Sequence, residues 1–86
     1  MLTATPGTAF VNLSWTVPFD GGSAITGYKI YRGTIIGGET LLATVPPGTV
    51  YTDFVVAKPN TYYYRVLATN ADGDGAWSNE ALAIPL

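Results

Sequence analysis

Phe10-Val11-Asn12-Leu13-Ser14-Trp15-Thr16-Val17 is the stretch from which the architecture is read. Val11, Leu13 and Trp15 alternate with Asn12, Ser14 and Thr16, a period of two that turns one set of side chains to a core and the other to water. A helix needs apolar residues recurring every three to four positions, and no segment here is long or periodic enough in that sense. The stretch is a half-buried β-strand, and Trp15 is expected in the core.

Outward from it the chain is punctuated at short, even intervals. Thr5-Pro6-Gly7, the cluster from Pro18 to Ser23, Gly33 to Gly38, Pro46-Pro47-Gly48, Lys58-Pro59-Asn60 and Asp72 to Gly75 all carry turn residues of fixed or positive φ. Between them lie segments rich in Val, Ile, Thr, Tyr and Trp, which predict strands over 2–4, 10–17, 25–32, 40–45, 50–53, 61–70 and 76–84. Seven strands at this spacing predict an all-β, two-sheet sandwich. In the sixth, Tyr62, Tyr64, Val66 and Ala68 form one face and Tyr63, Arg65, Leu67 and Thr69 the other. Large side chains on both faces leave its inward set open by pattern alone.

The composition restricts function sharply. The chain has 86 residues, 48% of them hydrophobic and 12% charged, with ten glycines, six prolines, no cysteine and no histidine. That length allows a single domain over residues 1–86. Ordering costs roughly 1.5 kcal/mol per residue, so with no disulfide or Cys/His metal site a well-packed core is required. Thiol nucleophiles, Ser-His triads, zinc fingers and histidine bases are excluded together. No catalytic residue, cofactor site or metal site is therefore expected, nor an enzyme.

Four basic residues, Lys29, Arg32, Lys58 and Arg65, stand against six acidic ones, for a net charge of −2. That balance offers no footprint for phosphates, and nucleic acid is not an expected partner. No apolar run is long enough to span a bilayer, and Met1-Leu2-Thr3-Ala4 has neither the basic nor the apolar region of a signal peptide. The chain reads as a module taken from a larger protein.

A family resemblance follows from the residues together: Val11-Asn12-Leu13-Ser14-Trp15, Pro18, Ile25-Thr26-Gly27-Tyr28-Lys29-Ile30-Tyr31-Arg32, Tyr62-Tyr63-Tyr64-Arg65-Val66-Leu67-Ala68-Thr69-Asn70, Gly73-Asp74-Gly75 and Ser78. Over essentially its whole length the chain resembles a fibronectin type III domain, an immunoglobulin-like β-sandwich of seven strands. The tyrosine-rich sixth strand and the Asp-Gly turn look more like bacterial or archaeal members than animal matrix ones. The resemblance implies that Tyr62 is the corner tyrosine, its hydroxyl bonded to the backbone of the preceding loop, so that Tyr64, Val66 and Ala68 point inward. Two departures stand out. Val56 occupies a position usually held by Leu, and Lys58-Pro59-Asn60-Thr61 replaces the usual turn. After Ser78 the family register would bury Ala81 and Ala83 and expose Leu82 and Ile84, so either a bulge shifts the last strand or an apolar stripe faces outward.

Each candidate site has a plainer structural explanation. Asn70-Ala71-Asp72-Gly73-Asp74-Gly75 opens like a calcium loop, but the closing carboxylate is misplaced, Ala81 falling where it should stand and Glu80 one short, so the segment is read as a hairpin turn. No Arg-Gly-Asp tripeptide supports integrin adhesion. Asn12-Leu13-Ser14 is a formal glycosylation sequon, read as accidental in mid-strand. Asp20, Asp72 and Asp74 share one end of the sandwich and are read as solvated loop carboxylates. Asp53 is read as structural, accepting backbone N–H bonds near a corner.

Phe19, Tyr31, Tyr63 and Trp77 lie outside the expected core, with Phe10 and Phe54 unassigned. Trp77, Tyr63 and Tyr31 are the candidate ligand contacts, as stacking surfaces for a polysaccharide, against the plainer reading of cross-strand packing. Leu82 and Ile84, extended by Leu86, are the candidate contacts for another protein. The loops lack the Tyr/Ser-rich character of a randomised display scaffold. The resemblance, with the missing catalytic chemistry, implies a non-catalytic module, monomeric in isolation, that spaces flanking domains in an extracellular or cell-surface prokaryotic protein beside a carbohydrate-active enzyme. Trp15→Ala should lower stability by about 3–5 kcal/mol through the cavity it leaves; a purified variant melting within a few degrees of the parent would place Trp15 outside the core.

Overall fold

The computed structural model describes residues 1–17, 24–57 and 60–86. Pro18, Phe19 and Asp20, with the rest of the turn at 18–23, and Lys58-Pro59 lie outside the described residues. The strands are β1 (Leu2–Gly7), β2 (Phe10–Trp15), β3 (Ile25–Gly33), β4 (Thr40–Val45), β5 (Val50–Asp53), β6 (Tyr62–Asn70), β7 (Gly73–Trp77) and β8 (Ala81–Ala83). They form a three-stranded sheet in the order β1-β2-β5 and a five-stranded sheet in the order β4-β3-β6-β7, with β8 also paired to β6. Every pairing is antiparallel.

The alternation in β2 works as its pattern dictates. Val11, Leu13 and Trp15 are buried, and they meet Tyr28, Ile30, Tyr62, Tyr64, Val66 and Ala83 of the facing sheet in one cluster. The Trp15 and Tyr28 rings lie 5.2 Å apart in a tilted pair. Each such side chain contributes about 1.5–3 kcal/mol by leaving water, which is how a chain without disulfides offsets its ordering entropy.

The expected strands are corrected at two places. The first runs through Thr5-Pro6-Gly7 instead of turning there, with Pro6 opposite Val11 in register. It is an edge strand, where a residue without an N–H is tolerated. The turn falls one step later, at Thr8-Ala9, and Ala9 takes the positive φ of 64°. The strand expected over 76–84 is two strands, making eight in place of seven. Asp74 and Gly75, expected in the turn, belong to β7, and the hairpin closes at Ala71-Asp72 with Gly73 at φ 120°. The break between β7 and β8 follows from Asn79, whose side-chain oxygen accepts the Leu2 N–H at 2.7 Å while its amide donates to the Leu2 carbonyl at 2.9 Å. That residue is drawn to β1 and leaves the β6 ladder. Beyond the break Ala81–Ala83 pair with Tyr64–Tyr62 in an even register, so the last strand carries an outward apolar stripe and not a bulge.

Among the described residues one charged side chain, that of Asp53, is fully buried. Asp53, 1% exposed, ends β5 and accepts the Arg32 guanidinium at 3.1 and 2.9 Å, the Tyr64 hydroxyl at 2.9 Å and the Val55 N–H at 3.0 Å. Arg32 also donates to the Val55 carbonyl and lies over the Tyr62 ring, 5.5 Å from its centroid. Burial, aided by the hydrogen bond to Asp53, pushes the Tyr64 hydroxyl far above the ordinary tyrosine range and keeps it a neutral donor. The Tyr62 hydroxyl accepts the Ala57 N–H at 2.9 Å, closing the corner after β5, where Val56 packs half-buried against the core. Asp53→Ala should cost about 3–5 kcal/mol, since it leaves Arg32 and Tyr64 without their acceptor. Urea unfolding measures this, and a loss below about 1 kcal/mol would show the network to be dispensable.

Candidate functional site

The outward face of the five-stranded sheet is assembled by period-two alternation on neighbouring strands. β3 contributes Lys29 and Tyr31, β6 contributes Tyr63 and Arg65, β7 contributes Trp77 and β8 contributes Leu82. Tyr31 lies opposite Arg65, and Trp77 opposite Leu67. Trp77 reaches across β6 so that its ring meets Tyr31 edge-on, centroids 4.7 Å apart at 76°. The Arg65 guanidinium lies 5.9 Å from the Trp77 centroid. Trp77 remains 50% exposed. Tyr63 is half-buried directly opposite Leu82.

The three aromatic candidates therefore share one face, and Trp77 with Tyr31 forms a packed cross-strand pair on it. Such a pair is worth about 0.5–1.5 kcal/mol beyond its buried area, so it has a structural use of its own. Leu82 and Ile84 stand outward at 56% and 46% exposure. Phe10 is half-buried over Gly7, where a Cβ would strike its ring, and meets Phe54 with centroids 6.1 Å apart.

The charged groups on this face are paired too, Asp74 being brought to it by the register shift between Leu67 and Thr69 in the β6–β7 pairing. Lys29 pairs with Asp74 at 2.9 Å, and that hydrogen bond raises the Lys29 pKa. Asn70 accepts the Asp72 N–H in a turn of its own. Asp74 and Asn70 thus have partners within the protein, and among the described residues no group of three His, Cys, Asp or Glu could hold a metal ion. Asn12 of the sequon accepts the Thr52 hydroxyl at 2.7 Å.

Two residues that the sequence did not single out as a pair, Glu39 and Glu80, converge on Arg65, each with an oxygen 3.8 Å from its Nε. They lie 41 positions apart, and nothing local in the sequence links them. Only the folding of the loop after β3 across the sheet does so. Glu39 is sealed, 4% exposed, and gives a substrate no access to its carboxyl.

A cleft of about 500 Å³ opens near the start of β1, between Trp15, Tyr28, Val66 and Trp77. Most of its polar lining is engaged within the protein, the exception being the Trp15 indole N–H, which is sealed and has no acceptor. Ser78 accepts the Val66 N–H at 2.9 Å and donates to the Asn79 carbonyl, Asn79 holds Leu2, and the Thr16 hydroxyl accepts the Met1 amine at 2.6 Å. No described base stands beside the Ser78 hydroxyl to activate it.

Comparison with known proteins agrees with this architecture. The family model described as fibronectin type III domain matches residues 2–83. The chain is 39% identical over 87 residues to an amylopullulanase of Thermoanaerobacter thermohydrosulfuricus, an alignment covering 98% of this chain and 6% of that protein. It is 35% identical over 75 residues to exoglucanase B of Cellulomonas fimi, covering 86% of this chain and 6% of that protein. Among solved structures, an Fn3-like protein from Clostridium thermocellum superposes with a TM-score of 0.78 at 31% identity, covering 94% of this chain and 86% of the other. The chain thus spans only a small fraction of the curated relatives it matches, each a much larger enzyme. With the tyrosine corner closed on Ala57, two sheets packed around Trp15 and a family match over nearly every residue, the chain belongs to the fibronectin type III domain family.

Proposed function

We propose that the chain is a non-catalytic spacer that holds neighbouring domains of an extracellular, carbohydrate-active enzyme at a fixed separation. The observation that carries this reading is the placement of its two ends. The Met1 carbonyl accepts the Thr16 N–H at one pole, while Leu86 exchanges hydrogen bonds with Gly7 and Ala9 at the other, so both ends are anchored at opposite ends of β1. The longest dimension is 41 Å against 21 and 18 Å across. A rod of this kind sets the effective concentration between flanking domains through geometry, without adding contacts of its own. The relatives support the context, because the same module occurs inside an amylopullulanase and an exoglucanase. Among the described residues no helix is long and apolar enough to cross a membrane.

The test is a distance. Reporter domains fused at residues 1 and 86 should show a narrow separation, whereas a flexible Gly/Ser chain of equal length spreads broadly around about 50 Å. A distribution as broad as that of the flexible chain would refute the spacer reading.

A second reading, contact with a polysaccharide, is favoured by the shared placement of Trp77, Tyr31 and Tyr63. The half-exposed Trp77 would supply the stacking surface. Retention of the domain on insoluble starch or cellulose, lost in Trp77→Ala with folding intact, would support it; recovery of all the protein in the supernatant leaves the face to cross-strand packing.

A further inference from the structure

We propose that Glu39 and Glu80 hold one proton between them and act as a proton-dependent clasp tying the loop between β3 and β4 to the chain entering β8. The inference stands apart from the spacer reading and rests on unmatched polar atoms. Oε2 of Glu39 is sealed from solvent and has no donor, and Nε of Arg65 is sealed and has no acceptor. The two are 3.8 Å apart, too far for a hydrogen bond. Oε2 of Glu80 is equally far from Arg65 and accepts the Gly37 N–H at 3.2 Å. Two ionised carboxylates facing each other here would combine desolvation with like-charge repulsion.

One proton removes both penalties. It converts the pair into a carboxyl donating to a carboxylate, a short charge-assisted hydrogen bond. The remaining single negative charge then faces the single positive charge of Arg65. Arg65 from β6 and the Gly37 amide from the loop itself meet the pair, while Tyr63 from β6, Tyr31 from β3 and the uncharged Trp77 from β7 share the outer face around Arg65. Lys29 and Asp74 lie further along the face and neutralise each other. Arg65 is thus the one described cation beside the pair, and it cannot balance two carboxylates.

The direction of titration agrees. Burial pushes the Glu39 carboxyl up, and the hydrogen bond with Glu80 adds to it. That same hydrogen bond, followed by the Gly37 N–H, pulls Glu80 down. The Glu39 contribution to stability is full below the ordinary glutamate value of 4.5 and is lost as pH rises through its raised value. The Glu80 contribution is full above 4.5 and is lost as pH falls through its lowered value. The pair titrates as a unit, so the clasp is tightest in a window that brackets 4.5 and loosens toward neutral and alkaline pH. Loosening releases the loop that carries the exposed Ile35 and Ile36, and it frees Arg65 beneath Trp77.

Glu39→Gln places a permanent neutral donor in the clasp. Its melting temperature should match that of the unmodified domain near pH 4.5 and exceed it by about 4 °C near pH 8. In the unmodified domain, carbon-13 titration of the side-chain carboxyls should place the Glu39 midpoint above and the Glu80 midpoint below the ordinary value, with Gly37 amide exchange quickening as Glu39 ionises. A melting difference that stays constant with pH, or two carboxyls titrating together at the ordinary value, would overturn the proposal. The carboxyl titration decides the matter even if the variant fails to fold.

Discussion

Asp53 binds the two sheets into one object. It ends β5, in the three-stranded sheet, and its carboxylate is held by Arg32 of β3 and the Tyr64 hydroxyl of β6, both in the five-stranded sheet. Hydrophobic burial would press the sheets together in many relative positions, because it is non-directional. A buried carboxylate that needs its donors within hydrogen-bond reach admits far fewer. The cation, the neutral phenol and the Val55 N–H together meet its demand for donors, which is the condition for keeping a charge at 1% exposure.

The strand that pays into this network also organises the opposite side of its sheet. Along β6, Tyr62, Tyr64 and Val66 face the core while Tyr63 and Arg65 face outward, so each inward contact fixes an outward one by the pleat. Tyr64 seated on Asp53 therefore places Arg65 on the outer face, where it meets Trp77, Glu39 and Glu80. The two arginines solve different problems. Arg32 is matched with a single carboxylate in hydrogen-bonding geometry, whereas Arg65 faces two carboxylates at longer range and leaves part of their charge unbalanced.

Much of the fold was legible because it depends on local alternation and turn chemistry. β2, β4 and β5 are visible in their patterns, with ends within two residues, and Gly73 supplies the positive φ that the Asp-Gly segment suggests. The errors fall where another strand overrides the local signal. Pro6 reads as a turn residue, yet it stays in a strand because β1 is an edge. The run from Ala76 to Ile84 reads as one strand, yet Asn79 breaks it to bond Leu2, a residue 77 positions away. Of the outer face, the aromatic candidates were legible as residues left outside the expected core. Their shared face, and the Tyr31–Trp77 contact, required the strand order.

The sequence by itself determined the β-sandwich, the burial of the β2 face around Trp15 and the absence of histidine and cysteine chemistry, because these follow from side-chain period and composition alone. The family resemblance then limited the last strand to two registers. Only the tertiary structure decided between them, seated Arg32 and Tyr64 on Asp53, and brought Glu39 against Glu80 beside Arg65. Those contacts join residues far apart in the chain, and their geometry exists only after the sheets have paired, since no local propensity encodes which side chains a strand will meet across its neighbours.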